Sequence, residues 1–250
     1  MHDLTGAAFL LAAGFAGGVI GTAGGITSLV AYPALLAVGI PPLAANVTSS
    51  VALVGSGASS ALRARPDLDG HGPTLRRWLP LVVVFSLAGA VLLVATPGRV
   101  FDAVVPFLVA AGSVLLLAQP RIARRQASRD RRPPRWLAVP AGVGVALYNG
   151  YFGAGAGILL IALLALVAEP VLHRANSIKN VVLVTADVLP AVLFAATGTV
   201  VWGAALPLGA GAVVGGLAGP SVARRLPPSV LRVGMGASGL LLAAYLLVRR

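Results

Sequence analysis

Lys179 and Asp187 are the two residues of this sequence whose placement most demands a chemical reason. Lys179 is the single lysine beside eighteen arginines, and it opens a long apolar run instead of sitting among loop charges. Asp187 lies inside that run, in Val184-Thr185-Ala186-Asp187-Val188-Leu189. Eight residues is about two helical turns, so the two charges share one face but stand too far apart to pair unless the chain bends. The lysine offers a charge complement for an anion, its bland alternative being a stem that snorkels to an interface. A carboxylate in such a run costs several kcal/mol and is by default functional, here as a proton-coupling group or a partner for Lys179. A structural hydrogen bond to a neighbouring helix is its alternative.

Two glycine clusters, Gly21-Thr22-Ala23-Gly24-Gly25 and Gly153-Ala154-Gly155-Ala156-Gly157, interrupt apolar runs at matching places. Glycine lets the chain leave helical geometry there, and bare N–H groups at the next helix start suit an anion. Such groups survive in hydrocarbon only where they face protein or a watery cavity. Gly21, Thr22, Gly24, Gly25, Gly153, Gly155 and Gly157 are therefore candidate substrate-binding residues. Close helix packing through small residues is the competing reading, preferred for lone glycines such as Gly89 and Gly215.

Asn46, Thr48, Ser49 and Ser50 open one apolar segment, and Asn176, Ser177, Lys179 and Asn180 open its counterpart. Asn46, Ser49, Asn176 and Asn180 join Lys179 as candidate contacts, because their side chains can replace the water stripped from an oxyanion. Helix capping by Asn46 and Asn176 is the alternative.

Enzymatic constellations find little support. His2, His71 and His173 fall at the terminus or in loops, no HExxH pair exists, and Asp187 has no second intramembrane aspartate beside it. Gly236-Ala237-Ser238-Gly239 resembles a serine nucleophile site, but no intramembrane histidine serves as its base. The absence of cysteine removes disulfides, thiolate metal sites and thiol nucleophiles.

The elements that must position these residues are membrane helices. Hydrophobic residues make up 58% of the chain and charged ones only 10%, against about 25% in a soluble domain. Apolar segments fall at 5–21, 25–39, 44–62, 77–95, 101–118, 137–152, 156–168, 178–196, 201–222 and 229–248. Their continuity, without alternation, implies helices and not a barrel. No Lys or Arg precedes Arg63, so no basic region of a cleaved signal peptide is seen and the first run is expected to stay.

The net charge of +12 reads as topology and not as nucleic-acid binding, because the arginines sit in short gaps between apolar runs. Arg121, Arg124, Arg125, Arg129, Arg131, Arg132 and Arg135 put residues 120–135 in the cytoplasm. Arg63, Arg65, Arg76 and Arg77, and then Arg224 and Arg225, follow on the same side by counting crossings; Arg249 and Arg250 are the one violation. Trp78, Trp136 and Trp202 are expected as interfacial anchors.

The two sides of that loop resemble each other. Val19-Ile20-Gly21-Thr22-Ala23-Gly24-Gly25-Ile26 aligns with Tyr151-Phe152-Gly153-Ala154-Gly155-Ala156-Gly157-Ile158, Ala45-Asn46 with Ala175-Asn176, and Ala111-Gly112-Ser113 with Gly236-Ala237-Ser238. Five segments per half, an odd number, makes the second copy enter the membrane inverted, as in many transporters. The first two segments of each half are short, so each pair is either two full spans or a re-entrant hairpin, giving eight to ten spans.

The glycine-rich first segment, the Ala-Asn element, the basic middle loop and the second glycine-rich copy with Asn176 and Lys179 together resemble the sulfite exporter TauE/SafE family over essentially the whole chain. That resemblance implies export of sulfite or related organosulfonate anions across the cytoplasmic membrane. Thr22 and Ala23 stand where the family pattern leads one to expect glycine.

The expected protein is thus an all-α integral membrane transporter, with a first repeat at 1–119, a basic loop at 120–135 and an inverted repeat at 136–250. Its partners are a small sulfur-containing anion and the lipid bilayer, without nucleic acid; homo-oligomerisation is left open, and no cofactor is implied. An intramembrane enzyme or a non-transporting structural subunit is the alternative.

Overall fold

The computed structural model describes residues 4–24, 27–127, 135–169 and 171–223, with 233, 237, 240–241 and 243–248. Among these it is all helical. The elements are α1 (Leu4–Gly24), α2 (Thr27–Ala37), α3 (Pro42–Ala64), α4 (Gly72–Ala95), α5 (Gly98–Ala127), α6 (Arg135–Tyr151), α7 (Ala156–Val167), α8 (Leu172–Ala196) and α9 (Trp202–Ala223), plus a 3₁₀ turn at Arg65–Leu68. Nine of the ten expected segments coincide with a helix. The tenth falls mostly outside the described residues, as do Gly236, Ser238 and the arginine pairs at 224–225 and 249–250.

Burial is arranged for lipid. Leu92, Phe107, Val192 and Leu206 are 56–66% exposed, while Asn46, Thr48, Ser49, Ser56, Ser60, Ser86, Lys179 and Asn180 are buried. Water would favour the reverse; hydrocarbon favours apolar side chains outside and backbone groups bonded within helices. The segments within Leu4–Gly21, Gly72–Ala95 and His173–Ala196 are each long and apolar enough to cross a membrane. The short helices α2 and α7, of 11 and 12 residues, reach only about 17–18 Å at 1.5 Å per residue. Neither spans roughly 30 Å of hydrocarbon alone.

Two departures from the sequence pattern have local causes. The apolar run ending at 118 does not end α5, which continues to Ala127 through Arg121, Arg124 and Arg125. Ala, Arg and Gln are good helix formers, and a helix leaving the bilayer keeps its own hydrogen bonds. In the first glycine cluster α1 persists through Gly24, where a break was expected from Gly21; Ala23 and Thr22 hold the turn better than glycines would. Gly25 lies outside the described residues.

Small residues set the packing. α1 meets α9 backbone to backbone: a Cβ on Gly14 or Gly18 would strike the carbonyl oxygens of Leu208 or Ala212, and one on Gly211 or Gly215 those of Leu11 or Phe15. α4 meets α6 likewise, with Gly89 against the Leu147 carbonyl and Gly150 against that of Ser86. Gly89 and Gly215 are thus packing glycines, as small-residue contacts in membranes require. Trp78, expected as an interfacial anchor, is instead 5% exposed, with Gly142 making room for its ring. Trp136 and Trp202 are exposed at 71% and 50%, as anchors would be.

The long helices α3 and α8 pack together at the centre, α3 also against α9 and α8 against α4. At one end of this pair, His71 Nε2 lies 2.7 Å from Glu169 Oε2, and Ser177 donates to Asp67 Oδ2 at 2.8 Å. Both ring nitrogens of His71 face acceptors, Nδ1 lying 3.0 Å from the Asp69 carbonyl, so only the doubly protonated ring donates to both. At the other end, the Val201 N–H donates to Thr48 Oγ1 at 3.0 Å.

Candidate functional site

A cavity of about 130 Å³ lies between α3, α8 and the places where α2 and α7 begin. One water needs roughly 10–15 Å³ on such a measure, so there is room for a small ion and several waters.

The break between α6 and α7 follows from two glycines. Gly153 and Gly155 adopt φ +75° and +84°, left-handed values that side-chain-bearing residues rarely take, and α7 restarts at Ala156. Gly153 and Gly157 line the cavity. Gly155 does not; it packs on Gly112 of α5. On the other side Gly21 lines the cavity beside Thr27 and Ser28, and a Cβ on Gly21 would overlap the Thr27 hydroxyl.

α3 contributes Ser49, Ser50, Leu53, Ser56, Gly57 and Ser60. Residues 49, 53, 56 and 60 follow the spacing of one helix face, so a serine stripe looks inward from an otherwise apolar helix. Ser49 and Ser50 donate to the Asn46 carbonyl at 3.0 and 2.9 Å, which leaves their oxygens facing the cavity as acceptors.

α8 contributes the charges. Lys179 and Asp187 are the two charged residues among those lining the cavity, with Asn180 beside the lysine. Lys179 is 3% exposed and Asn180 9%, and among the described residues neither side chain has a hydrogen-bond or ion-pair partner. A buried ammonium without protein acceptors is costly unless a ligand or water completes it. Asp187 is held differently: Asn149 Nδ2 donates to its Oδ1 at 2.7 Å and to Ser86 Oγ at 2.9 Å.

Of the expected site residues the structure gathers Gly21, Ser49, Gly153, Gly157, Lys179, Asn180 and Asp187 around one cavity. Asn46 and Asn176 are not in its lining, nor do they cap their own helices, since α3 and α8 begin at Pro42 and Leu172. Asn46 instead donates to the Tyr151 carbonyl at 3.0 Å, satisfying one of the acceptors left open at the end of α6. Thr22 and Gly24 lie in α1, with Gly155 outside the lining as described. Sequence reasoning missed Asn149, Thr27, Ser28, Ser56 and Ser60 as cavity residues. The signal for Asn149 was one amide in an apolar run, and for the serines their shared helical face. Among the described residues no group of three or more His, Cys, Asp or Glu side chains could hold a metal ion.

A polar, charged cavity buried among apolar-coated helices, at the starts of two short helices, is the architecture of a helical membrane transporter. Residues 7–246 match the family described as "Sulfite exporter TauE/SafE". The chain therefore belongs to the TauE/SafE family of membrane transporters. It is 31% identical over 218 residues to a Sinorhizobium protein called "Probable membrane transporter protein ORF9", covering 85% of this chain and 81% of that one. It is 27% identical over 212 residues to a Haemophilus influenzae protein called "Probable membrane transporter protein", covering 83% and 81%. No solved structure matches.

Proposed function

We propose that the protein carries a small oxyanion, sulfite or a related organosulfonate, across the cytoplasmic membrane through the cavity between α3 and α8. The observation that carries this reading is Lys179: a buried cation, without a protein partner among the described residues, facing a cavity that also receives the start of α7. The ammonium supplies charge, the Asn180 amide and the hydroxyls of Ser56 and Ser60 supply directed donors, and the first-turn N–H groups of α7 add the partial positive charge of a helix N-terminus. The family description, which names a sulfite exporter, agrees with the chemistry.

Alternating access follows from two inverted halves, 1–119 and 136–250, joined by the basic segment 120–135. Packing supports the equivalence. The register that pairs Val19 with Tyr151 also pairs Gly18 with Gly150 and Phe15 with Leu147, and a second register pairs Ser86 with Ala212 and Gly89 with Gly215, so that Gly18 on the Ala212 carbonyl corresponds to Gly150 on that of Ser86, and Gly215 on Phe15 to Gly89 on Leu147. Charge assigns the α3–α4 connection to the cytoplasm and the order of crossings puts the α7–α8 connection beside it; the His71–Glu169 contact joins the two, and Asp67–Ser177 ties the first to α8, in keeping with that assignment. The shortness of α2 and α7 favours hairpins that pair with α1 and α6.

An inside-negative potential favours anion exit by about 2.3 kcal/mol per charge per 100 mV, so export needs no coupling ion. Import does, and Asp187 is the proposed proton carrier. Sulfite efflux from proteoliposomes at a clamped inside-negative potential tests the reading. Lys179→Ala is expected to reduce it by about 10- to 100-fold, the worth of one charge-assisted contact. Undiminished efflux through folded Lys179→Ala protein would sink it.

A further inference from the structure

Two helical turns keep Lys179 and Asp187 from pairing at their backbone positions, yet a lysine stem extended along the cavity toward a carboxylate turned to meet it would close most of that gap. Lys179 and Asp187 are on one helix about 12 Å apart along its axis, near enough to act on each other electrostatically, and lysine has a long flexible stem. In surroundings poor in water their attraction is strong. A contact pair would cancel the cation that an anionic substrate needs. Among the described residues, however, the one ion pair at contact distance is His71–Glu169.

Asn149 explains the separation. Its Nδ2 is 2.7 Å from Asp187 Oδ1 and 2.9 Å from Ser86 Oγ, so the two amide hydrogens have one acceptor each. Ser86 is fully buried, which fixes that end of the bridge. Asn149 reaches it because the next residue is Gly150: a Cβ there would overlap the Ser86 carbonyl, and only its absence lets α6 lie this close to α4. The amide belongs to α6, the serine to α4 and the carboxylate to α8, so three helices hold one oxygen in place.

We infer that Asn149 is a positioning residue: bridging Ser86 and Asp187, it holds the carboxylate away from Lys179 and keeps the ammonium open to an anion. This rests on the oxyanion reading of the cavity for its functional half, but the clamp itself can be tested without any substrate. Lys179 is the single lysine of the chain, so reductive methylation with ¹³C-formaldehyde places one dimethyl-lysine reporter in the cavity, with its charge retained. The terminal amine gives a separate signal.

In detergent-solubilised full-length protein, Asp187→Asn should move the wild-type lysine signal only by the loss of a distant charge, less than Asn149→Leu moves it, because no contact pair exists to lose. Asn149→Leu should displace it as Asp187 swings toward the ammonium, and Asn149→Leu combined with Asp187→Asn should return it. Ser86→Ala, which frees only one end of the bridge, should give a smaller displacement in the same direction and serves if the leucine variant fails to fold. Titrated with sodium sulfite, Asn149→Leu should bind about tenfold more weakly than wild type, and the double variant should regain most of that loss. The clamp is overturned if Asp187→Asn alone displaces the wild-type signal as far as Asn149→Leu does, if folded Asn149→Leu and Ser86→Ala both leave it unmoved, or if Asp187→Asn fails to restore binding in the Asn149→Leu background. Displacement by Asn149→Leu in a protein whose lysine signal never responds to sulfite would uphold the clamp and overturn the oxyanion reading.

Discussion

Two glycines on α6 should answer the same substitution with opposite signs. Gly144 has nothing within 4 Å of where a Cβ would stand, whereas a Cβ on Gly150 would overlap the Ser86 carbonyl and crowd the Ala90 nitrogen. At Gly144, alanine gains the helix propensity that glycine lacks, about 0.5–1 kcal/mol. At Gly150 the same gain is outweighed by forcing α6 off α4, an overpacking cost of about 1–3 kcal/mol because the obstacle is backbone and cannot rotate away. For a chain of this size each kcal/mol corresponds to roughly 2–4 °C. Thermal unfolding of the detergent-solubilised protein should therefore show Gly144→Ala slightly above wild type and Gly150→Ala several degrees below. Displacement of α6 also moves Asn149, so Gly150→Ala should weaken sulfite binding while Gly144→Ala leaves it alone. Equal shifts of one sign for both variants would refute the packing of α6 on α4 described above.

Three further outcomes are expected. Burial pushes the Glu169 carboxyl up, but the His71 hydrogen bond, the Val171 N–H and the charges of His71 and Arg174 together hold it below the usual carboxylate range. Its stabilising contribution is thus present above the ordinary value of about 4.3 and lost as pH falls through the depressed one, so the stability gap between wild type and Glu169→Gln should narrow as pH falls below about 4. Gly155→Ala, at φ +84°, should cost about 1–2 kcal/mol in the same melting assay, and Gly155→Asn less for its backbone strain. In the impaired Lys179→Ser background, Ser49→Lys should recover part of the sulfite flux, since it returns an ammonium to the cavity from the proposed equivalent position of the other half; a folded double variant no more active than Lys179→Ser would count against that equivalence.

The legible parts of this protein are those where residue type alone is improbable in its setting. Apolar continuity was enough to mark nine helices, and a charge in such a run was enough to mark Lys179 and Asp187. Asn46 and Asn176 show the limit, because their type fits an anion site but each lies about one turn from the cavity along its helix, toward an end. Depth along an axis is set by where the helix starts, at Pro42 and Leu172, and apolar runs beginning near 44 and 178 place those starts two to six residues late. Asn149 escaped notice for a different reason. Its role depends on Ser86, 63 residues away, and on Gly150 permitting the approach, a tertiary condition that no local pattern carries.

If the proposed inverted repeat holds, its two halves differ in chemistry at the cavity. The register that pairs Asn46 with Asn176 also pairs Ser49 with Lys179, Ser50 with Asn180, Leu53 with Leu183, Gly57 with Asp187 and Ser60 with Pro190, and all ten of these residues line the cavity. Equivalent positions lining one space is what a pseudo-twofold axis through the cavity would produce, since each half then presents the same helix face to it. Chemical identity across that axis would put two lysines and two aspartates in contact distance of a single small ion, with like charges repelling across the axis. Confining the charges to α8 and leaving hydroxyls and a glycine on α3 removes that repulsion. It also lets α3 and α8 slide past each other without breaking an ion pair, because α3 brings no charge to the cavity. On this proposal backbone symmetry would serve the movement and side-chain asymmetry the binding, so a substitution on α3 should alter affinity gently while one at Lys179 lowers it about 10- to 100-fold.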